Sequence, residues 1–338
     1  MPFFTFRTEN GYKLRFLPAL QDFPTESVHT DTVRINRIIE QQVQAYPVQY
    51  LWTHRRFKKG NLMIPTLYNL LDPNRLTEIV DIGANLVDGD PPYKPMLASG
   101  LCKVTGFEPQ EVALLQLNSR KSPNERYLPY AIGDGDKHTL KICQTSGMTS
   151  LLTPNTTMLD LFEPFTEFGK IISEVPLKTK RLDDISEIRH IDFLKIDIQG
   201  GELSVFQHGN AKLNQCVAIQ TEVSFMPLYE GQPTIGDIDS EMRSMGFVPH
   251  HLAELKRWAI KEDVRYKPNQ LLEADIVFVR NYSKPDNLSE EQLKHLALIA
   301  HYCYHSCDLA LFCISILEER GKLEPGTRQQ YKDFVNES

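Results

Sequence analysis

The amino-acid sequence predicts an α/β fold with a largely parallel, doubly wound sheet. Short apolar segments of strand length alternate with helical patterns from Glu78 onward, and this alternation is typical of β-α-β units. Several of the apolar segments end in an acid or a glycine-containing turn, as strands do at a ligand-binding edge. The chain has 338 residues, of which 41% are hydrophobic and 24% charged. One large domain with additions at both ends is therefore expected.

The core strands are predicted from apolar segments bounded by polar or turn-forming residues. They are Glu78–Ile82, Lys103–Phe107, Arg126–Ala131, Thr139–Cys143, Phe193–Asp197, Cys216–Glu222, Phe247–His251 and Asp275–Arg280. Helical patterns lie between most of them, at Gln110–Asn118, Glu202–Gln207 and Ile235–Met245. A charge-rich segment separates the last two strands, so we expect an antiparallel hairpin at the sheet edge. The less regular segment Asn155–Lys178 is long enough to be an insertion near the site.

Extensions are predicted on both sides of the α/β domain: residues 1–75, an N-terminal extension or cap, and residues 286–338, a C-terminal helical extension. Phe3–Phe6 and Tyr12–Phe16 are expected to pair around Asn10-Gly11, and helical patterns cover Thr30–Ala45 and Ile64–Leu71. This part is a packing extension or a lid over the substrate. The helical pattern Leu288–Glu319, with Ser289 and Gln292 as a capping box, packs on the domain or makes a homodimer.

Composition and charge exclude several classes of protein. The net charge of -7 argues against a nucleic-acid-binding surface. No segment approaches the ~18 uninterrupted apolar residues of a membrane span, and the N-terminus lacks the apolar region of a signal peptide. The six cysteines are scattered, several of them in apolar segments, which fits reduced, buried thiols. A cytoplasmic enzyme is expected.

The stretch DFLKIDIQGGEL, from Asp192 to Leu203, is the centre of the predicted site. A short apolar strand ends in Asp197, the pair Gly200-Gly201 permits a sharp turn, and a helix begins at Glu202. In open α/β sheets a strand, a turn and a helix in this order lie where ligands bind.

Two earlier motifs indicate a nucleoside cofactor. In Ile79–Asp90 a strand delivers Asp81, and Gly83 and Asn85 form a loop that can wrap the polar part of the cofactor. About 25 residues later the next strand ends in Glu108, which can accept both ribose hydroxyls. The first motif lacks the three glycines of a dinucleotide site and the Gly-Lys-Ser/Thr of a P-loop. Taken alone, it is equally compatible with a plain strand-to-helix turn.

A third motif, AIGDGDKHTLKI, begins at Ala131. Its Asp134 either meets an adenine amino group or belongs to an Asp-Gly turn between Ile132 and Leu140. Asp134 and Asp136 are also calcium-ligand types, but the ligand order of an EF-hand is absent.

Taken in order along the chain, these motifs resemble the FkbM family of S-adenosylmethionine-dependent methyltransferases. The resemblance covers roughly residues 76–281, and its most specific parts are LKIDIQGGEL and EVSFMPLYEGQP. The other parts are Ile79–Asp90, Phe107–Pro109, Ile132–Asp134, Arg181–Ile185 and Ala274–Arg280.

The resemblance implies a Rossmann-like, seven-stranded methyltransferase sheet with an antiparallel edge strand, formed by residues 76–285. It also implies S-adenosylmethionine at the carboxyl ends of the first strands. Asp81, Gly83 and Asn85 would surround the methionine part, Glu108 the ribose and Asp134 the adenine. Asp197 would lie beside the methionine amino group or the acceptor. Family members typically methylate hydroxyl oxygens on sugars or polyketide-derived compounds.

Methyl transfer to a hydroxyl releases a proton, so a base is expected near the site. Asp197 and Glu222, at the ends of two neighbouring strands, are the candidates, and Glu222 is favoured because Gln199 stands where family members often have Glu. Tyr229 and Trp258 are candidates for the acceptor pocket, or are packing residues. A small-molecule or glycan acceptor is expected.

Other interpretations of these residues stay open. Asp197, Glu202 and Glu222 are an alternative set of ligands for a divalent metal. The pattern His301, Cys303, His305, Cys307 is either a zinc site or a buried helix face. A non-catalytic binding or assembly protein that keeps the fold is the alternative function. A metal-dependent deoxyribonuclease of the TatD type is disfavoured because an early His-x-His pair is missing.

Overall fold

The structure, a computed structural model, describes residues 3–8, 11–23, 25, 28–45, 66–85, 89–261 and 268–336. The chain forms two compact units, Met1–Ile64 and Pro65–Ser338.

The first unit consists of a hairpin and a helix. Strands β1 (Phe3–Thr8) and β2 (Gly11–Phe16) pair antiparallel, with Phe3 opposite Phe16. Helix α1 spans Val28–Ala45. The predicted hairpin and helix are thus confirmed, while Asn10 of the predicted turn lies outside the described residues. Whether this unit forms a lid stays a prediction.

The second unit contains the α/β sheet and most of the helices. Its strands are β3 (Thr77–Ile82), β4 (Cys102–Phe107), β5 (Glu125–Leu128), β6 (Lys137–Cys143), β7 (Ile171–Lys178), β8 (Phe193–Ile196), β9 (Ala218–Ser224), β10 (Phe247–Trp258) and β11 (Gln270–Arg280). Its helices are α2 (Leu67–Leu71), α3 (Lys94–Ala98), α4 (Glu111–Arg120), α5 (Thr156–Leu159), α6 (Phe165–Phe168), α7 (Glu202–His208), α8 (Asn210–Leu213), α9 (Ile235–Ser244), α10 (Glu290–Tyr304), α11 (Cys307–Glu319) and α12 (Thr327–Asn336).

The central sheet has seven strands in the order β10-β11-β9-β8-β3-β4-β5. Strands β3, β4, β5, β8 and β9 pair parallel, whereas β11 is antiparallel to both β9 and β10. The predicted α/β fold with its mostly parallel sheet is confirmed. The antiparallel strand is last in the chain but lies one place in from the edge, because β10 takes the outer position. The chain reverses direction across the sheet between β3 and β8, where open α/β sheets bind ligands.

One predicted core strand is wrong in its position. Thr139–Cys143 lies in β6, which pairs antiparallel with β7 in a separate two-stranded sheet. Most side chains of β6 are half-buried and most of those of β7 are exposed, so neither strand has the double-sided burial of a central parallel strand. Strand β7 belongs to the segment that was predicted to be irregular.

Successive residues of the central strands point to opposite faces of the sheet, and each face has its own core. Ile79, Phe193 and Ala218 pack with helices α2, α3, α10 and α11, while Val80, Leu194 and Ile219 pack against the opposite layer, which includes α7 and α9. The C-terminal extension is therefore one of the two layers that cover the sheet. No helix among the described residues is long and apolar enough to cross a membrane.

The C-terminal helical pattern Leu288–Glu319 forms two helices instead of one. His305 has a left-handed backbone (φ 51°) and ends α10, and α11 begins at Cys307. Ser289 and Gln292 form the predicted capping box. Packing of this segment on the domain is confirmed, because Leu296 and Ile314 lie in the core. The homodimer stays a prediction.

Candidate active site

Two clefts open at the edge of the sheet where the parallel strands end. Cleft 1 has a volume of about 820 Å³ and is bounded by the loops that follow β3, β4 and β5 and by residues of the segment 146–151. Cleft 2 has a volume of about 1080 Å³ and lies over the face of the sheet that α10 and α11 cover further down. Asn85 and Asp197 line both clefts and form the wall between them.

Gly83 sets the shape of the loop after β3. Its φ is +80°, a conformation that disfavours any residue with a side chain. A Cβ atom at this position would lie 2.0 Å from the backbone oxygen of Asp197. The backbone N–H groups of Gly83 and Ala84 both donate to the carbonyl of Phe107. Gly83 thus lets this loop lie against the strand end that carries Asp197. The contact of the loop with a cofactor stays a prediction.

Glu108 lies in cleft 1, and its contact with a ribose stays a prediction. Its side chain is buried, and Oε1 accepts a hydrogen bond of 2.7 Å from the backbone N–H of Gln110. Burial and the charge of Asp81 raise its pKa, although the Gln110 N–H opposes this. The turn thus holds one carboxylate oxygen and aims the group along the cleft.

Asp81 faces cleft 2 and not the interior of cleft 1. Its Oδ2 accepts a hydrogen bond of 2.6 Å from the Tyr93 hydroxyl, and its Oδ1 lies 3.6 Å from Nζ of Lys195. Among the described residues, none donates a hydrogen bond to Oδ1. The nearby ammonium of Lys195 offsets the charge of this buried carboxylate.

Asp197 is held by an amide that the sequence interpretation set aside. Gln199 has a left-handed backbone (φ 57°). Its Nε2 donates to Oδ1 of Asp197 at 2.9 Å and to Oε2 of Glu222 at 2.8 Å. The Tyr229 hydroxyl lies 3.0 Å from the amide oxygen of Gln199. The lack of charge on Gln199 excludes it as a base. A neutral amide can, however, donate to two carboxylates at once, which a glutamate cannot.

Glu222 lies behind this amide and lines neither cleft. Its side chain is 5% exposed, and Oε1 accepts from Nζ of Lys256 at 2.9 Å. Burial raises the pKa of Glu222 well above its ordinary value; the charges of Asp197 and Glu273 add to this, and Lys256 opposes it. The predicted proximity of Asp197 and Glu222 is present, with Gln199 between them.

Tyr229 and Trp258, the predicted acceptor contacts, belong to the small core of the insertion. Tyr229 is fully buried. Trp258 donates from Nε1 to the carbonyl of Glu163 at 2.8 Å and packs edge-on against Phe165. Neither residue lines cleft 1 or cleft 2, so their contact with an acceptor stays a prediction.

The side chain of Asp134 forms hydrogen bonds within and around its own turn. Its Oδ1 lies 2.9 Å from each of the Asp136 backbone N–H, the Thr179 hydroxyl and Nε2 of His138. Burial acts to raise its pKa, but these hydrogen bonds outweigh burial and lower the pKa to about 2. The preceding Ile132 lines cleft 1, whereas Asp134 does not. The contact of Asp134 with adenine stays a prediction.

Glu202 supports the turn after Asp197. Its two carboxylate oxygens accept from the backbone N–H groups of Ile198, at 2.8 Å, and Gly200, at 2.9 Å. Burial raises its pKa to about 7, against the effect of these N–H groups. Both oxygens are therefore committed to the backbone.

No group of three or more His, Cys, Asp and Glu side chains that could hold a metal is found among the described residues. In the C-terminal pattern, Nδ1 of His301 lies 3.1 Å from the Tyr331 hydroxyl and Sγ of Cys303 lies 3.5 Å from Sδ of Met96. These side chains pack within the helical layer.

Cleft 2 brings the predicted residue Asp81 together with polar residues that no motif singled out. Asp81, Lys195 and Gln220 lie side by side on β3, β8 and β9. They are two residues beyond Ile79, Phe193 and Ala218, on the same face of the sheet, where the helical layer no longer covers it. Asp275 of β11 and Tyr304 of α10 complete this wall. The sequence offered one signal, the acid in ADIVFVR, but the partners of Asp275 come from distant segments.

Comparison with solved structures finds distant likenesses. A magnesium protoporphyrin IX methyltransferase from Synechocystis with bound SAM is 10% identical, with a TM-score of 0.31, over 72% of this chain and 96% of that one. A precorrin-6y C5,15-methyltransferase from Geobacter metallireducens is 12% identical, with a TM-score of 0.30, over 63% and 85%. The strand order described above defines the fold class.

The N-terminal residues are similar to part of another family, described as bacterial lipid A biosynthesis acyltransferase, which matches residues 1–59. The lipid A biosynthesis palmitoleoyltransferase of Escherichia coli is 37% identical over 59 residues, which is 18% of this chain and 19% of that protein. The lauroyltransferase of the same organism is 34% identical over 58 residues, 17% of this chain and 19% of that protein. The chain thus spans about a fifth of the length of these relatives.

The family described as Methyltransferase FkbM domain matches residues 81–249, which is half of the 338-residue chain. The match begins at Asp81 and includes Gly83, Glu108, Asp197 and Gln199 of the site. The chain belongs to the FkbM methyltransferase family.

Proposed function

We propose that this protein is an S-adenosylmethionine-dependent O-methyltransferase that acts on a hydroxyl of a sugar, a glycan or another small metabolite. The observation that carries the proposal is the pair of clefts with a common wall at Asn85 and Asp197. A cofactor in cleft 1 and an acceptor in cleft 2 would meet at that wall. Membership of the methyltransferase family supports the reaction class.

The residues of cleft 1 fit the cofactor in two respects. Gly83 and Asn85 both line cleft 1, where they would hold the methionine chain of the cofactor. Glu108 is a buried carboxylate with one oxygen held by the Gln110 N–H, and its second oxygen can accept from ribose hydroxyls.

The proposed cofactor contacts lie in cleft 1, except that the methionine end would reach past the common wall to Asp81 in cleft 2. Glu108 would bind the ribose, whereas Asp81, Gly83, Asn85 and Asp197 would surround the methionine part. Oδ1 of Asp81, which lies 3.6 Å from Nζ of Lys195, would accept from a polar hydrogen at the edge of cleft 2. The cofactor supplies a methyl group on a positively charged sulfur, and the protein has to hold and orient the two reactants and exclude water between them.

The acceptor hydroxyl loses a proton during transfer, so a carboxylate near the common wall assists. Asp197 is proposed to contact the reacting groups directly. Glu222 stays a predicted base, although Lys256 and Gln199 already bind its carboxylate. A cytoplasmic location and a homodimer also stay predictions.

Isothermal titration with S-adenosylmethionine and S-adenosylhomocysteine tests cofactor binding. We expect saturable binding by the wild type and its loss in Glu108→Ala, with the thermal unfolding of both proteins measured as a control for folding. Absence of binding by a folded wild type would contradict the proposed function and favour the alternative, a non-catalytic binding or assembly protein.

The acceptor is sought with methyl-labelled cofactor and mass spectrometry of a defined panel. The panel contains methyl glycosides of glucose, rhamnose and N-acetylglucosamine, together with lipid A, because the matched relatives of residues 1–59 are lipid A biosynthesis enzymes. We expect an alkali-stable, ether-linked methyl group on one class. A panel in which every member stays unlabelled would contradict O-methylation of sugars and glycolipids.

A further inference from the structure

We propose that Asp275 is the general base of the reaction and that Gln220 and Tyr304 position it. This inference rests on the proposed function. None of these three residues was among the predicted site residues, and both Asp275 and Tyr304 lie outside the family match at 81–249. They meet through tertiary structure, since they belong to β11, β9 and α10.

The antiparallel direction of β11 brings Asp275 to the site. A parallel strand delivers its last residues to the ligand-binding edge. Because β11 runs the other way, its residues from Glu273 to Asp275 lie beside the last residues of β9. Asp275 lies opposite Glu222 of β9 and opposite Glu254 of β10. It is half-buried and lines cleft 2, as does Asp197 on the wall shared with cleft 1. An acceptor in cleft 2 would thus lie between Asp275 and the cofactor.

Gln220 and Tyr304 fix the direction of the carboxylate. The Tyr304 hydroxyl donates to Oε1 of Gln220 at 2.8 Å, so the amide presents Nε2 to Asp275, where it donates to Oδ2 at 2.7 Å. The Tyr304 ring packs edge-on against Phe193, with ring centres 6.0 Å apart. Burial raises the pKa of Tyr304 well above its usual value, so its hydroxyl keeps the proton that it donates.

The surroundings of Asp275 favour a stronger base than an ordinary aspartate. Burial raises the pKa of Asp275 and the charge of Asp197 adds to this, whereas the Gln220 N–H, Lys256 and Lys195 lower it. Catalytic bases work best with a pKa close to the working pH. The charged and titratable groups facing Asp275 are Glu222 on β9, Glu254, Lys256 and His251 on β10, Glu273 on β11, Asp81, Lys195 and Asp197 across cleft 2, and Tyr304 and His305 at the end of α10.

Glu222 is less suited to this role than Asp275. Its carboxylate is 5% exposed, accepts from both Lys256 and Gln199, and lines neither cleft. Asp275 opens onto cleft 2, so it can reach an acceptor hydroxyl and can later release the proton to water.

The proposed step balances without a further reactant. Asp275 accepts the proton of the acceptor hydroxyl while the hydroxyl oxygen forms its bond to the transferred methyl carbon. The bond between that carbon and sulfur breaks, and its electron pair stays on the sulfur. The protonated Asp275 then loses its proton to water in cleft 2.

The test compares Asp275→Asn with Glu222→Gln in the full chain, using the panel member that the wild type methylates. We expect Asp275→Asn to lower kcat/KM by about 10²–10⁴-fold, the usual contribution of a general base. Its Kd for S-adenosylhomocysteine should stay within about twofold, since Asp275 lies outside cleft 1. Glu222→Gln should cost less than about tenfold. Asp239→Asn on α9, outside both clefts, is the carboxylate-to-amide control and should leave all values unchanged.

The pH profile separates catalysis from structural support. The wild-type kcat/KM should fall at acid pH as Asp275 is protonated. Gln220→Leu removes a hydrogen bond that favours the charged carboxylate, so this fall should move to higher pH. Tyr304→Phe should move it less, in the same direction. Asp275→Glu should recover part of the activity lost in Asp275→Asn.

Each contrary outcome has a distinct meaning. An active Asp275→Asn beside an inactive Glu222→Gln would overturn the inference and leave the proposed function intact. An unchanged pH profile in Gln220→Leu would contradict the proposal that Gln220 positions Asp275. A folded wild type that binds no S-adenosylmethionine would overturn the proposed function and with it the base.

Discussion

The two clefts are built in different ways. Cleft 1 is made mainly from loops that directly follow β3, β4 and β5, so each wall comes from one short segment of chain. Cleft 2 is made from part of the loop after β3 together with side chains that come from β3, β8, β9, β10, β11 and α10. Backbone shape dominates the first cleft and convergence of distant side chains the second. A short motif can therefore specify cleft 1, whereas cleft 2 exists only once the strand order is set.

The largest expected effect tests the backbone character of cleft 1. Gly83→Ala would place a Cβ 2.0 Å from the Asp197 oxygen at a φ of +80°. Because the contact is with backbone, we expect the Kd for S-adenosylmethionine to rise at least about 100-fold, roughly 2.7 kcal/mol. Gly231→Ala is the matched control, since its φ is +69° and nothing lies within 4 Å of the added Cβ. Tight cofactor binding by Gly83→Ala would show that this loop does not shape the cleft.

The next effect tests the carboxylate of cleft 1. Glu108→Gln keeps the shape and one acceptor oxygen but loses the charge, so the Kd should rise by about 10-fold. Burial raises the pKa of Glu108. Wild-type affinity should therefore be greatest above this pKa and fall as the pH drops through it. Titration calorimetry from acid to neutral pH should show a Kd that rises towards acid pH for the wild type and changes less for the variant.

Gln199 connects the wall of the two clefts to Glu222, and its removal should affect stability as well as binding. In Gln199→Leu, the carboxylates of Asp197 and Glu222 lose the N–H₂ group that joins them. We expect a loss of about 1–3 kcal/mol in the free energy of unfolding. Gln199→Glu should be less stable at pH 8 than at pH 5, because a third carboxylate repels the other two once it is charged. Urea denaturation at both pH values measures this, and equal stability would argue against the bridge.

A smaller effect is expected at Glu202, which supports the turn between the clefts. Glu202→Gln retains one of the two oxygens that accept from the Ile198 and Gly200 N–H groups, so it should lose about 1 kcal/mol of stability near pH 5. The raised pKa of about 7 means that wild-type stability falls as pH rises from the ordinary value of 4.5 through 7. The difference between the two proteins should shrink over that window, and a constant difference would contradict this linkage.

The smallest effect is expected at Asp134, beside cleft 1. Asp134→Asn should leave cofactor affinity nearly unchanged, because the carboxylate contacts Thr179 and His138. Its pKa of about 2 means that it stabilises the fold above its ordinary value of 3.8, and this stabilisation is lost as pH falls towards 2. The variant should therefore unfold at a slightly lower temperature at pH 7, with no difference at pH 2. A large loss of affinity would restore the predicted contact with adenine.

The sequence alone was sufficient to identify the residues whose role depends on the local backbone conformation. The strand ends at Asp81, Glu108 and Asp197 were identified because a short apolar segment followed by an acid or a glycine is visible in a few residues. The sequence did not predict that β6 lies outside the central sheet, because a strand in a small side sheet and a strand in the main sheet have similar composition. Gln199 was discounted because its function as a double donor depends on two carboxylates that the sequence places apart.

By itself the sequence determined the α/β class, the family and the glycine loop of cleft 1, because alternating periodicity and local motifs act over short segments. Only the tertiary structure decided that Asp275, Gln220 and Tyr304 meet. Their meeting requires β11 to enter the sheet antiparallel beside β9 and α10 to lie across the same face. These are contacts between residues far apart in the chain. A short sequence motif cannot predict them, because contacts across a sheet depend on strand order and register, which are properties of the whole fold.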